Sequence, residues 1–271
     1  MTGSWEQTAA GWDAATAGYA AELAPRTVGF AADLVALLAP PLGARFLDVA
    51  CGTGVVAIEA ARAGSRVVAV DFSPQMTRHA ERAAREGGLP IEVQRMDGHA
   101  LDFPERSFDC AASLFGLQFF ADRALGLREL RRVLKPGGRV AVGAWAEPER
   151  VELLAPLMRA MGAALPHAAL TRTPPLLFSM AEPRRMADEC TAAGFRDVTV
   201  TEYEHPYTFA RPDDYWRLLL TAAPGPMQRL SALAPDLRAD VHAALIDDLR
   251  ACFGGGPIVL SAIARIVTGR A

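Results

Sequence analysis

Residues 46–54 read FLDVACGTG, an apolar run that leads through an acid into two closely spaced glycines. The run is followed by TGVVAIEAARA at 53–63, whose apolar residues recur at helical spacing, so the stretch predicts a strand, a tight turn and a helix. Glycines allow a ligand to approach the backbone closely, and the first N–H groups of the helix stay free to bind it. This stretch therefore predicts the first strand and the ligand-binding turn of an α/β fold.

Short apolar runs and helical segments keep alternating from residue 44 to residue 145. Such alternation is typical of parallel strands joined by crossover helices, and the apolar runs fit a sheet buried on both faces. We predict a Rossmann-like unit. Its later strands are predicted at 65–71 (SRVVAVD), 91–96 (IEVQRM), 108–114 (FDCAASL) and 139–146 (RVAVGAWA), its helices at 73–88 and 123–134, and a turn at KPGG, 135–138.

The two ends of the chain predict helices packed around this unit. Apolar residues recur at helical spacing over 5–38, where Pro25 predicts a break between two helices. We expect one domain over residues 1–271, with a helical cap at 1–40, a ligand-binding core at 41–146, and the remaining strands with lid helices at 147–271. In that last part, helices are predicted near 150–164, 180–193, 212–222 and 236–252, strands at 196–204 and 257–269, a loop at 224–226 and a hairpin turn at 254–257.

Composition favours a small-molecule partner. The chain has 28 basic and 31 acidic residues without a block of like charges, so neither nucleic acid nor a membrane surface is an expected partner. The four cysteines are far apart and form no cluster with histidines, which predicts neither a metal site nor a disulfide framework. Since the sequence shows no signal-peptide pattern and no long apolar run, we expect a cytoplasmic protein. The oligomeric state stays open, a homodimer included.

The glycine turn by itself also fits a nicotinamide cofactor. Gly52-Thr-Gly54-Val-Val-Ala57 satisfies the dinucleotide pattern G-x-G-x-x-G/A. Asp71 closes the second predicted strand, where an acid would accept ribose hydroxyls. An NAD(P)-dependent oxidoreductase is therefore one alternative function.

The order of the motifs resembles the class I S-adenosylmethionine (SAM)-dependent methyltransferases, in particular those of quinone biosynthesis and natural-product tailoring. FLDVACGTG resembles the first motif of that family and AVDFSPQM at 69–76 the second. MDGHALDFPERSFDCAASL at 96–114 resembles the third and fourth, and ELRRVLKPGGRVAVGAW at 129–145 the post-core motif with its strand. The resemblance implies a seven-stranded, mostly parallel sheet whose last strand is antiparallel. It also implies methyl transfer from SAM to a small acceptor, with release of S-adenosylhomocysteine.

Two positions depart from the family pattern. Ala50 stands where many members carry glycine, although its small side chain should still allow close approach of the cofactor. LFGLQFF at 114–120 stands where relatives often have a pair of histidines, which puts a role of this segment toward the acceptor in doubt.

The resemblance also implies a cofactor site along the glycine turn and the following strand ends. Asp48 would lie near the amino group of SAM, Asp71 would accept the ribose hydroxyls, and Asp97 would accept the amino hydrogen of adenine. Ser113 and Phe115 would line the methionine end and the methyl-transfer channel. The implied cofactor-binding residues are Tyr19, Asp48, Ala50, Gly52, Gly54, Asp71, Phe72, Met76, Asp97, Gly98, His99, Ser113, Phe115 and Gln118.

Catalysis is expected to depend mainly on positioning, because attack on a sulfonium methyl group chiefly needs an in-line approach in a dry pocket. For a phenol or alcohol acceptor a general base would help, and His167, His205 and Tyr207 are the candidates. The apolar helices of the second half predict a hydrophobic or aromatic acceptor. A SAM-binding protein on this fold that does not methylate, such as a cyclisation catalyst, is the other alternative.

Overall fold

The computed structural model describes residues 5–165 and 176–271. Its strands are β1 Arg45–Val49, β2 Arg66–Asp71, β3 Ile91–Arg95, β4 Phe108–Leu114, β5 Leu134–Trp145, β6 Arg196–Phe209 and β7 Ile258–Arg270. They form one sheet in the order β3-β2-β1-β4-β5-β7-β6. Neighbours from β3 to β5 pair in parallel, whereas β7 pairs antiparallel with both β5 and β6. The predicted mostly parallel sheet with an antiparallel last strand is confirmed.

Neighbouring residues of a pleated strand point to opposite faces of the sheet. Helices pack against both faces of this one. They are α1 Ala9–Gly18, α2 Ala24–Leu38, α3 Val55–Arg62, α4 Pro74–Glu86, α5 Arg123–Val133, α6 Ala155–Ala164, α7 Pro183–Ala192, α8 Pro212–Thr221, α9 Pro224–Ser231 and α10 Pro235–Phe253. Phe46 of β1 belongs to a core shared with α2, α3, α6, α8 and α10. The next residue, Leu47, belongs to a second core shared with α5 and α7.

Four local predictions differ from the structure. Pro25 does not break the N-terminal helical run, because it sits in the first turn of α2, where a missing N–H costs nothing. A π-helical turn, Tyr19–Leu23, joins α1 to α2 instead. The predicted loop at 224–226 is the start of α9, for the same reason. The 254–257 turn joins α10 to β7 and is not a hairpin, and KPGG at 135–138 lies within β5, where the pairing with β4 shifts register.

None of the helices in the described part of the chain combines the length and the apolar character needed to cross a membrane.

Candidate functional site

A cavity of about 960 Å³, including its opening to solvent, lies at the carboxyl ends of β1 to β4. Ligands of open α/β sheets bind at this edge. The N-terminal segment forms its roof, with Trp12, Tyr19 and Thr27 among the lining residues. The predicted residues that line it are Tyr19, Asp48, Ala50, Gly52, Asp71, Phe72, Met76, Asp97, Gly98, His99 and Phe115.

The turn after β1 is held open by left-handed backbone conformations. Ala50, Gly52 and Gly54 have φ of 56°, 53° and 92°. Glycine adopts such angles without strain, whereas alanine at position 50 bears a cost of about 1 kcal/mol. A side chain at Gly54 would begin 3.2 Å from the Cβ of Ala80, so this glycine lets α4 approach and does not itself line the cavity.

Asp71 fastens this turn to the end of β2. Its Oδ2 accepts a hydrogen bond from the Gly52 N–H and its Oδ1 one from the Ser73 N–H, both at 2.9 Å. Burial raises the pKa of the carboxyl to about 6 in spite of these N–H donors, and the charge of Asp13 adds to the rise. A carboxylate offers about four acceptor positions, so room remains for ligand hydroxyls.

Asp48 lies at the end of β1 with one carboxyl oxygen unused. Its Oδ2 accepts from the Ala57 N–H at 3.0 Å, while its buried Oδ1 has no hydrogen-bond partner among the described residues. Burial, more than the nearby charge of Asp71, raises the pKa of Asp48 to about 8. A buried acid without a partner is costly to ionise, so a ligand cation placed beside Oδ1 would stabilise the charged form.

Asp97 and His99 form a closed pair at the end of β3. Asp97 Oδ1 accepts from the backbone N–H of His99 at 2.9 Å and from its ring Nδ1–H at 2.7 Å. Burial alone would raise the pKa of Asp97, but the donors of His99 lower it below its ordinary value. His99 Nε2 accepts from the Asp122 N–H at 3.3 Å, and its ring packs against Phe120 at 4.5 Å. Both ring nitrogens of His99 are thus already engaged in hydrogen bonds.

Aromatic side chains close the cavity from above and from the side. Trp12 packs edge-on against Phe119, with 5.1 Å between ring centroids. Burial, with the charge of Asp71 second, raises the pKa of Tyr19 to about 12, so its phenol stays a hydrogen-bond donor. Phe115, at φ 59°, stacks on Trp145 at 4.0 Å. The sequence did not single out several lining residues, among them Glu6, Thr27, Met96 and Phe120.

Two predicted cofactor contacts lie behind the cavity wall. Ser113 and Gln118 are fully buried and are not among the lining residues. The Ser113 hydroxyl and both amide atoms of Gln118 have no partner among the described residues. Phe119 and Phe120 line the cavity beside Phe115, and a contact of Ser113 or Gln118 with the cofactor stays a prediction.

The candidate bases do not reach the cavity. His205 Nε2 lies 2.6 Å from Asp33 Oδ2, and its ring meets the edge of Phe30. Tyr207 is fully buried in β6 without a hydrogen-bond partner in the described part of the chain, and burial raises its pKa well above the ordinary range, which suits no base. Tyr207 points into the core beside Trp145, whereas His205 packs against α2 with its side chain 30% exposed, so a role of either as a base stays a prediction. His167 lies outside the described residues.

Known proteins resemble this chain over the same core. Residues 47–142 match a family model described as a methyltransferase domain. The chain is 31% identical over 250 residues to nocamycin O-methyltransferase of Saccharothrix syringae, which covers 88% of this chain and 89% of that protein. It is 41% identical over 111 residues to the demethylmenaquinone methyltransferase of Corynebacterium kroppenstedtii, covering 41% of this chain and 46% of that protein. Matches to other curated relatives span as little as 38% of their length.

Solved structures share this fold. The crystal structure of the [4+2]-cyclase SpnF superposes with a TM-score of 0.54 at 22% identity, over 90% of this chain and 79% of that one. At this identity the likeness shows the fold alone.

Proposed function

Because the chain belongs to the class I SAM-dependent methyltransferases, as its four motifs predict, we propose that it methylates a small, uncharged, hydrophobic or aromatic acceptor and releases S-adenosylhomocysteine. One observation carries the proposal: Asp48 and Asp71 face one cavity from adjacent strand ends, and one buried oxygen of Asp48 has no hydrogen-bond partner in the part of the chain that the structure describes. The family membership removes the support for a nicotinamide-dependent oxidoreductase.

The lining residues fit SAM part by part. The unpartnered Oδ1 of Asp48 suits an ammonium group, and the remaining acceptor positions of Asp71 suit ribose hydroxyls. Met76 and Phe120 offer an apolar slot for adenine beside Gly98. Tyr19, which stays a phenol, is a donor for a carboxylate. When bound, SAM supplies an electrophilic methyl carbon: a lone pair of the acceptor forms the new bond to it while the C–S bond breaks and its electron pair stays on sulfur.

The charges of the cavity favour an uncharged acceptor. Among the described lining residues, Glu6, Asp48, Asp71 and Asp97 bring carboxyl groups, whereas arginine and lysine do not occur. An anionic acceptor would meet these carboxylates without a compensating arginine or lysine in the described lining, which is unfavourable. The aromatic walls around Trp12, Phe115 and Phe119 suit a flat apolar molecule.

The chain's own contribution to the reaction is positioning rather than base catalysis. His99 is the histidine among the described lining residues, and both of its ring nitrogens are already bonded. The roof of Trp12 and Tyr19 keeps water from the enclosed end, and the carboxylates fix the orientation of the cofactor. A proton released by a hydroxyl acceptor would then pass to solvent at the open side of the cavity.

Calorimetry with SAM, S-adenosylhomocysteine and NAD(H) in parallel tests the cofactor. We expect heat from the first two and none from the third. An acceptor screen with methyl-labelled SAM then compares phenols and quinols with carboxylated analogues of the same ring, and we expect label only in the uncharged members. Binding of NAD(H) alone would refute the cofactor, and faster labelling of the carboxylated members would refute the acceptor class. SAM binding without label in any acceptor would favour a non-methylating role.

A further inference from the structure

A chain of hydrogen bonds links the N-terminal cap to the ribose acid. Asp13 of α1 accepts from the Ser73 Oγ–H at 2.5 Å and from the Gln75 N–H at 3.1 Å, both on its Oδ1. The N–H of Ser73 in turn donates to Asp71 Oδ1, and the other oxygen of Asp71 holds the Gly52 N–H. The cap is therefore connected through two residues to the turn after β1.

Ser73 is the centre of this connection. It is fully buried, and its Oγ also accepts from the Met76 N–H at 3.1 Å, so it caps the N-terminus of α4. Capping uses the hydroxyl as an acceptor and leaves its proton in need of a partner, which Asp13 provides. Without Asp13, a buried O–H and the Gln75 N–H would both lose their acceptor.

The cap that Asp13 holds is also the roof of the cavity. Trp12 precedes Asp13 in α1 and lines the cavity, and Tyr19 follows one and a half turns later. On its outer side α1 packs closely on α8, since a Cβ at Gly18 would overlap the backbone of Thr221. Asp13 is thus the charged contact between this roof and the end of β2.

We propose that Asp13 is a positioning residue that clasps the cap to Ser73, so that it sets the orientation of Asp71 and controls how fast the cofactor leaves. The ligand in this inference rests on the proposed function, whereas the attachment of the cap does not. In this proposal the cofactor leaves when the roof lifts, which breaks the two bonds of Asp13. The negative charge of Asp13 also disfavours the ionised form of Asp71. Ser73 connects the two carboxyl groups, with its hydroxyl donating to Asp13 and its backbone N–H to Asp71.

The full-length chain with Asp13→Ala and Asp13→Asn tests the clasp. Asparagine keeps an acceptor oxygen for both donors, whereas alanine removes it. For Asp13→Ala we expect amide hydrogen exchange over residues 9–18 and the dissociation rate of S-adenosylhomocysteine each to rise about tenfold, the loss expected for one charge-assisted hydrogen bond. Asp13→Asn should stay within about threefold of the parent in both rates. In turnover assays, Asp13→Ala should raise the KM for SAM and leave kcat unchanged.

Asp188→Asn is the matched control, because this aspartate of α7 is 74% exposed and pairs only loosely with Arg184. It should behave as the parent in every assay. Unchanged exchange in Asp13→Ala would overturn the clasp, and raised exchange with an unchanged dissociation rate would overturn the positioning role. If Asp13→Ala does not fold, failure of Asp13→Asn to retain the parental dissociation rate overturns the proposal. If the parent binds neither SAM nor its product, the proposed function fails, while exchange over 9–18 still decides whether Asp13 holds the cap.

Discussion

Asp48→Asn is expected to stabilise the ligand-free protein and to weaken the binding of SAM. The pKa of Asp48 lies at about 8, against an ordinary value of 3.8, mainly because the carboxyl is buried. Between these two values the folded protein holds a proton that the unfolded chain has lost, so rising pH lowers the free energy of unfolding by up to about 1.4 kcal/mol per pH unit. Asparagine does not titrate, and its oxygen can still accept from the Ala57 N–H. The stability advantage of the variant should therefore grow from pH 4 toward pH 8 and reach several kcal/mol.

SAM affinity should change in the opposite direction. Loss of a charge-assisted bond to an ammonium group costs about 1.5–3 kcal/mol, so the dissociation constant should rise about 10- to 100-fold at pH 8. In the parent, affinity should increase between about pH 6 and pH 8 as Asp48 ionises, and this increase should be absent in the variant. Urea denaturation across this pH range measures the stability, and calorimetry measures the affinity. Asp188→Asn serves as the control. A stability difference that does not vary with pH, or an unchanged affinity, would refute the reasoning.

Three further substitutions test other parts of the site. Asp71→Ala should raise the dissociation constant of SAM about 30-fold or more in calorimetry, because the ribose hydroxyls lose a charged acceptor. An unchanged affinity would rule out this ribose site. Gly116→Ala would place a Cβ 2.5 Å from the Cβ of Ala50. It should lower the free energy of unfolding by about 1–3 kcal/mol. Ala50→Gly should stabilise the Gly116→Ala chain more than it stabilises the parent, where it relieves only the strain of φ 56°, and equal gains in thermal denaturation would contradict the contact. Tyr207→Phe removes a buried hydroxyl that has no hydrogen-bond partner among the described residues. The free energy of unfolding should therefore stay unchanged or rise by about 1 kcal/mol, and methyl transfer should persist. Loss of turnover would support Tyr207 as a catalytic residue.

The sheet and its acids could be predicted because the signals are local. Each strand from β1 to β5 is a short apolar run beside a helical segment, and the carboxyl ends of parallel strands meet at one edge. Asp48, Asp71 and Asp97 therefore had to lie near one another once the strands were found. The start of α9 at Pro224 was missed because proline suits a first helical turn as well as a loop.

Side-chain direction after β4 could not be predicted in the same way. Phe115 adopts φ 59°, which reverses the chain and ends the simple alternation of the strand. Ser113 and Gln118 consequently fall in the core, and Phe119 faces the cavity. The surroundings of His205 could not be predicted for another reason: its partner Asp33 is 172 positions away, and only the packing of α2 on β6 brings them together. The periodicity of apolar residues predicts neither effect, because it describes neither a single dihedral angle nor a contact between distant segments.

Asp48 and Asp71, the two acids that the sequence singles out most clearly, are also buried where ionisation is unfavourable. Burial raises the pKa of both Asp48 and Asp71, so each opposes folding when ionised, and the described cavity lining brings no arginine or lysine to neutralise them. A core selected for stability alone would replace Asp48 with an uncharged residue of similar size. A site that must hold an ammonium and a sulfonium group benefits from the same arrangement, because the ligand then supplies the missing positive charge. The instability of the free site and its affinity for a cation are thus two consequences of one electrostatic cause, and a variant that relieves the first should lose the second.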